Sequence, residues 1–192
     1  MIKIAILASG SGSNAENIVH HFQGHSSVSI ALILTNKADA FVLERAKKLH
    51  VPTVVFTKNE LSEGDFVLNL LQKESIDWII LAGFLLKIPE NIIKNYPNRI
   101  LNIHPALLPK YGGKGMYGSR VHEAVVAAGE PESGITIHYV NSNYDEGNIV
   151  FQATCPVLYT DTANDVAEKV HHLEYAHFPK VIEETIRKST QY

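Results

Sequence analysis

Short apolar runs recur along the first half of the chain, and they restrict the possible folds more than any other feature. Each run is rich in β-branched residues and has few polar positions, so a strand built from it has no face suited to water. Such a strand must be covered on both faces, as in a parallel sheet that lies between helices. We interpret four of these runs as strands: Ile2–Ala8, Val28–Leu34, Asp77–Ala82 and Arg99–Ile103.

Between these runs the spacing of the apolar residues changes to that of helices. A helix is expected after the turn that ends near Asn14, and helical spacing extends over Phe41–Leu49 and Glu63–Glu74. Pro52–Phe56 is typical of a short extended segment, and Pro89 suits the first turn of a further helix. This alternation predicts an α/β fold with a doubly wound, mostly parallel sheet and right-handed connections.

The last third of the chain has a different pattern. Ile135–Val140 and Ile149–Val157 are strand-like and are separated only by a polar turn, which predicts an added antiparallel pair. A long final helix is expected after Asp161 or Thr162 as its cap, and we expect Pro179 to interrupt or kink it. The apolar stripe of this helix consists of Ala163, Val166, Ala167, Val170 and Leu173.

Composition narrows the class of protein. The 192-residue chain is 45% hydrophobic and 19% charged with a net charge of -3, so neither disorder nor a nucleic-acid surface is indicated. We find no repeat or linker and expect a single domain over residues 1–192. Cys155 is the only cysteine, and the first apolar run is too short to span a membrane, so we expect a cytoplasmic protein. The ten histidines show no metal-binding spacing, and we expect no metal site.

A glycine-rich loop, Ser9-Gly10-Ser11-Gly12-Ser13-Asn14, joins the first strand to the first helix. Its glycines allow close backbone approach and helix N–H groups attract anions, so we favour a cradle for a phosphate monoester. With Ala15 the loop also fits G-x-G-x-x-[GA], which leaves a dinucleotide site open. Thr35 and Asn36 stand where such a site would carry its ribose-binding acid, which argues against it. A tight turn without a ligand is the third alternative.

Asn102 and His104 stand at the exit of a predicted strand, where open α/β sheets bind ligands. Strand alternation puts the two side chains on the same side, so an amide and an imidazole can converge on one carbonyl. Asn can donate to a developing oxyanion, while His adds charge or assists proton transfer. This pair suits acyl transfer, although a purely structural histidine before Pro105 is the alternative.

Two carboxylates are further candidates. Asp145 lies in the polar turn between the last two strands, where it is either a solvated turn residue or a partner that raises the pKa of His104. Glu174 follows Val170 by one helical turn and so faces inward at the edge of the apolar stripe. It could hold a substrate amine, or it could be a solvated residue on the flank of the helix.

Taken together, several segments resemble the phosphoribosylglycinamide formyltransferase family, within the wider folate-dependent formyltransferase superfamily. The resemblance covers nearly the whole chain. It rests on Ser9-Gly10-Ser11-Gly12-Ser13-Asn14, Thr35-Asn36-Lys37-Ala38-Asp39-Ala40, Leu81-Ala82-Gly83-Phe84, Leu101-Asn102-Ile103-His104-Pro105-Ala106-Leu107-Leu108-Pro109-Lys110-Tyr111 and Asp145-Glu146-Gly147. After Tyr111 the sequence departs from the family pattern, and the role of the Gly112–Gly118 loop is left open.

The resemblance implies a Rossmann-like formyltransferase fold, a co-substrate and site residues. 10-Formyltetrahydrofolate would donate the formyl group and glycinamide ribonucleotide would accept it, with no metal. The implied catalytic residues are Asn102, His104 and Asp145. The implied ribonucleotide contacts are Gly12, Ser13, Asn14 and Glu174. The implied folate contacts are Leu85, Leu86, Lys87, Ile88, Asn102, Asn141, Tyr144 and Asp145.

The same resemblance implies a cis peptide bond between Leu108 and Pro109, which proline permits at low cost. We expect small-molecule substrates, no nucleic-acid or membrane partner, and a monomer or weak homodimer. Rival functions remain. A methionyl-tRNA formyltransferase would need an added RNA-binding domain and a basic surface. A formyltetrahydrofolate hydrolase would use water as the acceptor, and a noncatalytic nucleotide-binding module would use only the glycine-rich loop.

Overall fold

The computed structural model describes residues 1–190. The chain divides into two compact units, Met1–Leu101 and a second unit that begins at Asn102. The expectation of a single domain stays a prediction, because a compact unit within a chain need not fold by itself.

Parallel strands form the framework of the first unit: β1 (Ile2–Leu7), β2 (Val28–Thr35), β3 (Thr53–Val55) and β4 (Trp78–Leu81). β1 pairs in parallel with both β2 and β4, and β2 pairs in parallel with β3. All of β4 and the last four residues of β1 are buried. These buried stretches are apolar because neither of their faces meets water.

Helices follow these strands within residues 1–101: α1 (Ser13–Phe22), α2 (Val42–Lys48), α3 (Lys58–Ser62), α4 (Phe66–Lys73) and α5 (Glu90–Asn95). The helix predicted over Glu63–Glu74 begins later, at Phe66, and α3 before it was not predicted. α3 begins where it does because Thr57 and Glu60 form a capping box. The Thr57 hydroxyl accepts the Glu60 N–H, and the Glu60 carboxylate accepts the Thr57 N–H.

In the remaining chain, β5 (Ile100–His104) is followed by α6 (Ser119–Ala127), β6 (Glu132–Tyr139) and β7 (Ile149–Pro156). The predicted antiparallel pair is confirmed, since Ile135 of β6 lies opposite Ala153 of β7. α6 was not predicted from the sequence. It begins after Gly118, which provides no side-chain cap, so the usual start signal of a helix is missing.

The final helix, α7, extends over Ala163–Ser189. Thr162 is its cap, as predicted, and its hydroxyl accepts the Asp165 N–H. The helix continues through Pro179, so this proline does not end it. Proline removes one helical hydrogen bond, but the helix is held on both sides of that position by the buried Phe178 and Ile182.

Among the described residues the strand order is β3-β2-β1-β4-β5-β6-β7. The sheet is mostly parallel, with β6 and β7 as its antiparallel pair. The predicted α/β class is therefore confirmed, as are the added strand pair and the long C-terminal helix.

No helix within residues 1–190 has both the length and the apolar character needed to cross a membrane.

Candidate active site

Four polar side chains of the second unit form one connected cluster. Asn102 Nδ2 lies 3.1 Å from Nε2 of His138. The Asp145 carboxylate faces both histidines, with Oδ2 3.6 Å from His104 Nδ1 and Oδ1 3.6 Å from His138 Nε2. The structure therefore brings together the three residues that the resemblance implied as catalytic, through a fourth residue that the sequence analysis missed.

His138 orients the amide of Asn102. The Nδ1 of His138 lies 2.8 Å from the Tyr139 carbonyl oxygen, which can only accept, so Nδ1 carries a proton. In the neutral ring Nε2 is then an acceptor, and the Asn102 amide donates to it. An amide nitrogen has two hydrogens, so one N–H of Asn102 remains for another acceptor. His138 thereby fixes which end of the Asn102 amide is the donor.

His104 is held by a backbone carbonyl on one side and faces a carboxylate on the other. Its Nε2 lies 2.7 Å from the Tyr111 carbonyl oxygen, so Nε2 carries a proton, and its Nδ1 faces Asp145. Burial lowers the pKa of His104 and outweighs Asp145 and the Tyr111 carbonyl, which raise it. The expected effect of Asp145 on the pKa of His104 is therefore present, although burial makes the net pKa of His104 lower than its usual value.

Asp145 lies in a strained turn with φ of 56°, a conformation that a non-glycine residue adopts at some cost. Burial alone would raise the pKa of Asp145, but the protonated forms of His138 and His104, together with the Gly113 N–H, lower it. The Gly113 N–H donates to Oδ2 at 2.9 Å. Asp145 is thus an ionised carboxylate at neutral pH, with its two oxygens directed to different partners.

A buried network supports the segment that follows β5. The Thr136 hydroxyl donates to the Ala106 carbonyl at 2.7 Å and accepts the Leu108 N–H at 3.0 Å and the Gln152 amide at 2.8 Å. The Leu108–Pro109 peptide bond is cis, as the resemblance implied. A single hydroxyl thus connects three stretches of chain around the residues that follow His104.

The glycine-rich loop in the first unit is held mainly through its backbone. Gly12 has a φ of 73°, and a Cβ on it would lie 2.4 Å from Val42 Cγ2, so only glycine fits. α1 begins directly after it at Ser13, so the first N–H groups of the helix follow this turn. The Val42 N–H and the Arg45 side chain donate to the Gly10 and Ser11 carbonyls.

Ser9 connects this loop to the Leu85–Ile88 segment, which the resemblance implied as part of the folate contacts. Its hydroxyl donates to the Asn36 side chain at 2.6 Å and accepts the Leu85 N–H at 3.0 Å. Within that segment Ile88 is buried and Leu85 is exposed. The Leu85–Ile88 folate contacts and the Gly12–Asn14 phosphate contacts stay predictions.

The remaining predicted contacts lie in the second unit. Asn141 and Tyr144 are in the turn that carries Asp145, and the Asn141 side chain accepts the Asn143 N–H at 2.9 Å. Glu174 is buried on α7, on the inward face that the sequence predicted. Its contact with a substrate amine stays a prediction.

His138 is the residue of the cluster that the sequence analysis did not find. One signal was available, since a histidine in a largely apolar strand, seven residues before the acidic residue of the next turn, needs a polar partner. Within residues 1–190, no group of three or more His, Cys, Asp or Glu is placed to hold a metal ion.

The cluster is mostly buried and combines an amide donor, two imidazoles and a carboxylate, which are groups suited to acyl transfer. Together with the fold, it places the chain among α/β proteins that transfer chemical groups. Comparison with known families narrows this class. The profile described as "Formyl transferase" matches residues 2–182. The chain belongs to this family.

Several proteins similar to this chain are described as phosphoribosylglycinamide formyltransferases. A phosphoribosylglycinamide formyltransferase from Haemophilus influenzae is 37% identical over 187 residues, covering 95% of this chain and 86% of the relative. A chloroplastic phosphoribosylglycinamide formyltransferase from Arabidopsis thaliana is 41% identical over 94% of this chain. The match covers only 64% of the length of that relative. The crystal structure of phosphoribosylglycinamide formyltransferase from Streptococcus pneumoniae superposes with a TM-score of 0.85 at 34% identity, over 97% of this chain and 99% of that one.

Proposed function

We propose that this protein transfers a formyl group from 10-formyltetrahydrofolate to the amine of glycinamide ribonucleotide, a step of de novo purine biosynthesis. The observation that carries the proposal is the cluster itself. One N–H of Asn102 is available beside a histidine and an ionised carboxylate, and these are the groups that an acyl transfer requires. The relatives described as phosphoribosylglycinamide formyltransferases give independent support.

In the proposed mechanism the substrate amine attacks the formyl carbon. The C–N bond forms as the carbonyl electron pair moves to oxygen, and the remaining Asn102 N–H donates to the resulting oxyanion. The lowered pKa of His104 keeps its ring neutral at pH 7, so Nδ1 can accept the proton that the attacking amine releases. Asp145 then stabilises the imidazolium. The electron pair of the oxyanion then re-forms the carbonyl as the bond from carbon to the folate nitrogen breaks. The His104 imidazolium gives its proton to that nitrogen, so tetrahydrofolate leaves and the ring is neutral again.

The binding residues belong to the same proposal. Gly12, Ser13 and Asn14 bind the ribonucleotide phosphate, because helix N–H groups and a close backbone approach suit an anion. The Leu85–Ile88 segment binds the pterin, the Asn141–Asp145 turn binds the folate, and Glu174 contacts the substrate amine. The proposal also includes a cytoplasmic location and a monomer or weak homodimer. It includes no nucleic-acid or membrane partner.

The rival within the same chemistry is hydrolysis, in which water replaces the amine. The test is the loss of 10-formyltetrahydrofolate with purified protein, measured with and without glycinamide ribonucleotide. Loss that depends on the acceptor supports the transferase. Equal loss without acceptor would indicate a hydrolase, and no loss with retained ribonucleotide binding would indicate a noncatalytic module.

Asp145→Asn is run in parallel and is expected to abolish turnover, because a neutral amide does not stabilise the imidazolium. Asp161→Asn is the matched control. It removes the same charge from another turn of the second unit, where Asp161 accepts from Lys169 and from the Leu158 N–H. This control is expected to keep normal turnover.

A further inference from the structure

Tyr111 takes part in two hydrogen bonds that lead in different directions. Its hydroxyl donates to Glu130 Oε1 at 2.9 Å. Its backbone carbonyl accepts the proton on His104 Nε2 at 2.7 Å. Glu130 follows α6 in the chain and also accepts from Lys110 Nζ at 2.9 and 3.1 Å. A continuous path of bonded atoms therefore runs from Glu130, outside the cluster, to the ring of His104.

The backbone of Tyr111 is in a conformation that needs external support. Its φ is 55°, in the left-handed region, which a bulky residue leaves unless its surroundings hold it there. The next residues are Gly112 and Gly113, which impose little restriction of their own. Besides the bond from the Gly113 N–H to Asp145, the direction of the Tyr111 carbonyl therefore depends on what holds the side chain of Tyr111.

Packing alone does not hold that side chain. Tyr111 lines a cavity of about 250 Å³ together with Leu107, Pro109, Val125 and Glu130. This cavity is open to solvent, so the side chain lacks packing contacts on that side and can move when a polar anchor is removed. The hydroxyl bond to Glu130 is the polar contact that the structure gives this side chain.

We propose that Glu130 is a positioning residue that, through the Tyr111 hydroxyl, holds the Tyr111 carbonyl against Nε2 of His104 and so directs Nδ1 of His104 toward Asp145. Without this tether the ring turns or shares its proton between the two nitrogens. Lys110 neutralises Glu130 but does not itself contact His104. The link to turnover rests on the proposed formyl transfer, whereas the effect on the His104 ring does not.

The first test measures the ring directly. Nitrogen-15 NMR of histidine side chains, with the His104 signals assigned by their loss in His104→Gln, reports which ring nitrogen carries the proton. We expect the neutral His104 ring to carry it on Nε2 in the natural protein, and to change to a mixture of tautomers in Tyr111→Phe and in Glu130→Ala. An unchanged tautomer in both variants would overturn the proposal.

Matched variants separate positioning from general damage. Glu130→Gln keeps an acceptor oxygen for the Tyr111 hydroxyl and is expected to restore the natural tautomer. Lys110→Met removes the ammonium but leaves the Tyr111 bond, and it is expected to behave like the natural protein. The proposal would be contradicted if the His104 tautomer changed in Glu130→Gln or in Lys110→Met as much as in Glu130→Ala. Glu130 would then not act through the Tyr111 hydroxyl.

The second test uses turnover. In Tyr111→Phe and Glu130→Ala we expect kcat to fall roughly tenfold with KM changed less than about twofold, since a misplaced catalytic group affects mainly the chemical step. The acid limb of kcat should move to lower pH, because the Tyr111 carbonyl raises the pKa of His104. Asp145 and His138 also act on the pKa of His104, and His104 lowers the pKa of the nearby His122; all three residues are left unchanged in these variants. An unmoved acid limb would refute the proposal, and if formyl transfer itself is absent, the NMR result still decides.

Discussion

The glycine-rich loop of the first unit and the polar cluster of the second are held in place by different means. The loop, Ser9–Asn14, depends on backbone conformation and on the lack of a side chain at Gly12. The cluster depends on side chains from β5, β6 and the turn between β6 and β7, among them Asn102 and His138, which are 36 residues apart in sequence. The residues of the loop stand in one short motif, whereas the fold alone brings the residues of the cluster together.

This difference predicts which property a substitution in each region will change. A change in the loop acts through sterics and therefore through stability and binding. A change in the cluster acts through hydrogen bonds and protonation, and therefore through turnover and pH dependence. Variants can be chosen in each region that should show one kind of effect without the other.

The largest expected effect is that of Asn102→Ala on turnover. Loss of one donor to an oxyanion weakens transition-state stabilisation by about 2.7 to 4 kcal/mol, so kcat should fall by a factor on the order of a hundred to a thousand. The measurement is steady-state formyl transfer, with the thermal midpoint recorded beside it. A fold-wide effect is not expected, since Asn102 is only partly buried. Near-normal kcat in this variant would remove Asn102 from the mechanism.

The second effect is on stability, from Gly12→Ala. The new Cβ would lie 2.4 Å from Val42 Cγ2 and 2.8 Å from the Val42 Cα, at a φ of 73°. The steric overlap, together with an alanine held in the left-handed backbone conformation, should lower the free energy of unfolding by about 3 kcal/mol. Gly10→Ala is the matched control, because a Cβ on Gly10 has no atom within 4 Å. Equal losses in the two variants, by urea unfolding, would show that the loop does not depend on the shape of Gly12.

The sequence predicted the features that depend on local pattern. Strand β4 was found because all its residues are apolar, and the start of α7 was found because Thr162 is a standard cap. α3 was missed because its five residues are too few to show a helical pattern, and its start signal is only the pairing of Thr57 with Glu60. α6 was missed because Gly118 gives no cap signal and a buried histidine, His122, interrupts its apolar face.

The part of the site that depends on local sequence pattern could also be predicted. Asn102 and His104 stand in one short motif, so their types and spacing could be recognised in the sequence. His138 could not be paired with Asn102 without the register that places β6. The net direction of the His104 pKa also depended on burial, which the type and spacing of residues do not give.

The third prediction concerns stability at low pH and uses His122. Burial, with His171 and His104 nearby, lowers the pKa of His122 from 6.5 to about 4, and its Nδ1 has no hydrogen-bond partner within residues 1–190. Between these two values the unfolded state binds more protons than the folded state, so stability is lost as the pH falls from about 6.5 toward 4. The loss between pH 7 and pH 4.5 should be about 2 kcal/mol from this group.

His122→Leu should remove that part of the pH dependence while keeping stability at pH 7, because an apolar side chain of similar size leaves no buried polar atom unpaired. Urea unfolding at several pH values from 7 to 4.5 gives the slope. His20→Gln, at an exposed position of α1, is the control and should leave the slope as it is. A slope unchanged in His122→Leu would show that other groups account for acid sensitivity.

The smallest predicted effect tests whether the second region truly depends on side-chain hydrogen bonds. Thr136→Val keeps the shape of the side chain but leaves the buried Leu108 N–H and Ala106 carbonyl without the hydroxyl that pairs with both. Unpaired buried groups should lower the free energy of unfolding by about 1.5 kcal/mol.

Thr185→Val is the matched control for this change. The Thr185 hydroxyl is also buried, but it only donates to the Val181 carbonyl one turn earlier in α7, which already accepts a backbone N–H of the helix. We expect a loss under about 0.5 kcal/mol there, because no buried group is left without a partner. If urea unfolding gives the same small loss for both variants, the network around the cluster is dispensable and the contrast with the glycine-rich loop fails. If only Thr136→Val is destabilised, one hydroxyl holds together the strand ends from which the cluster is built.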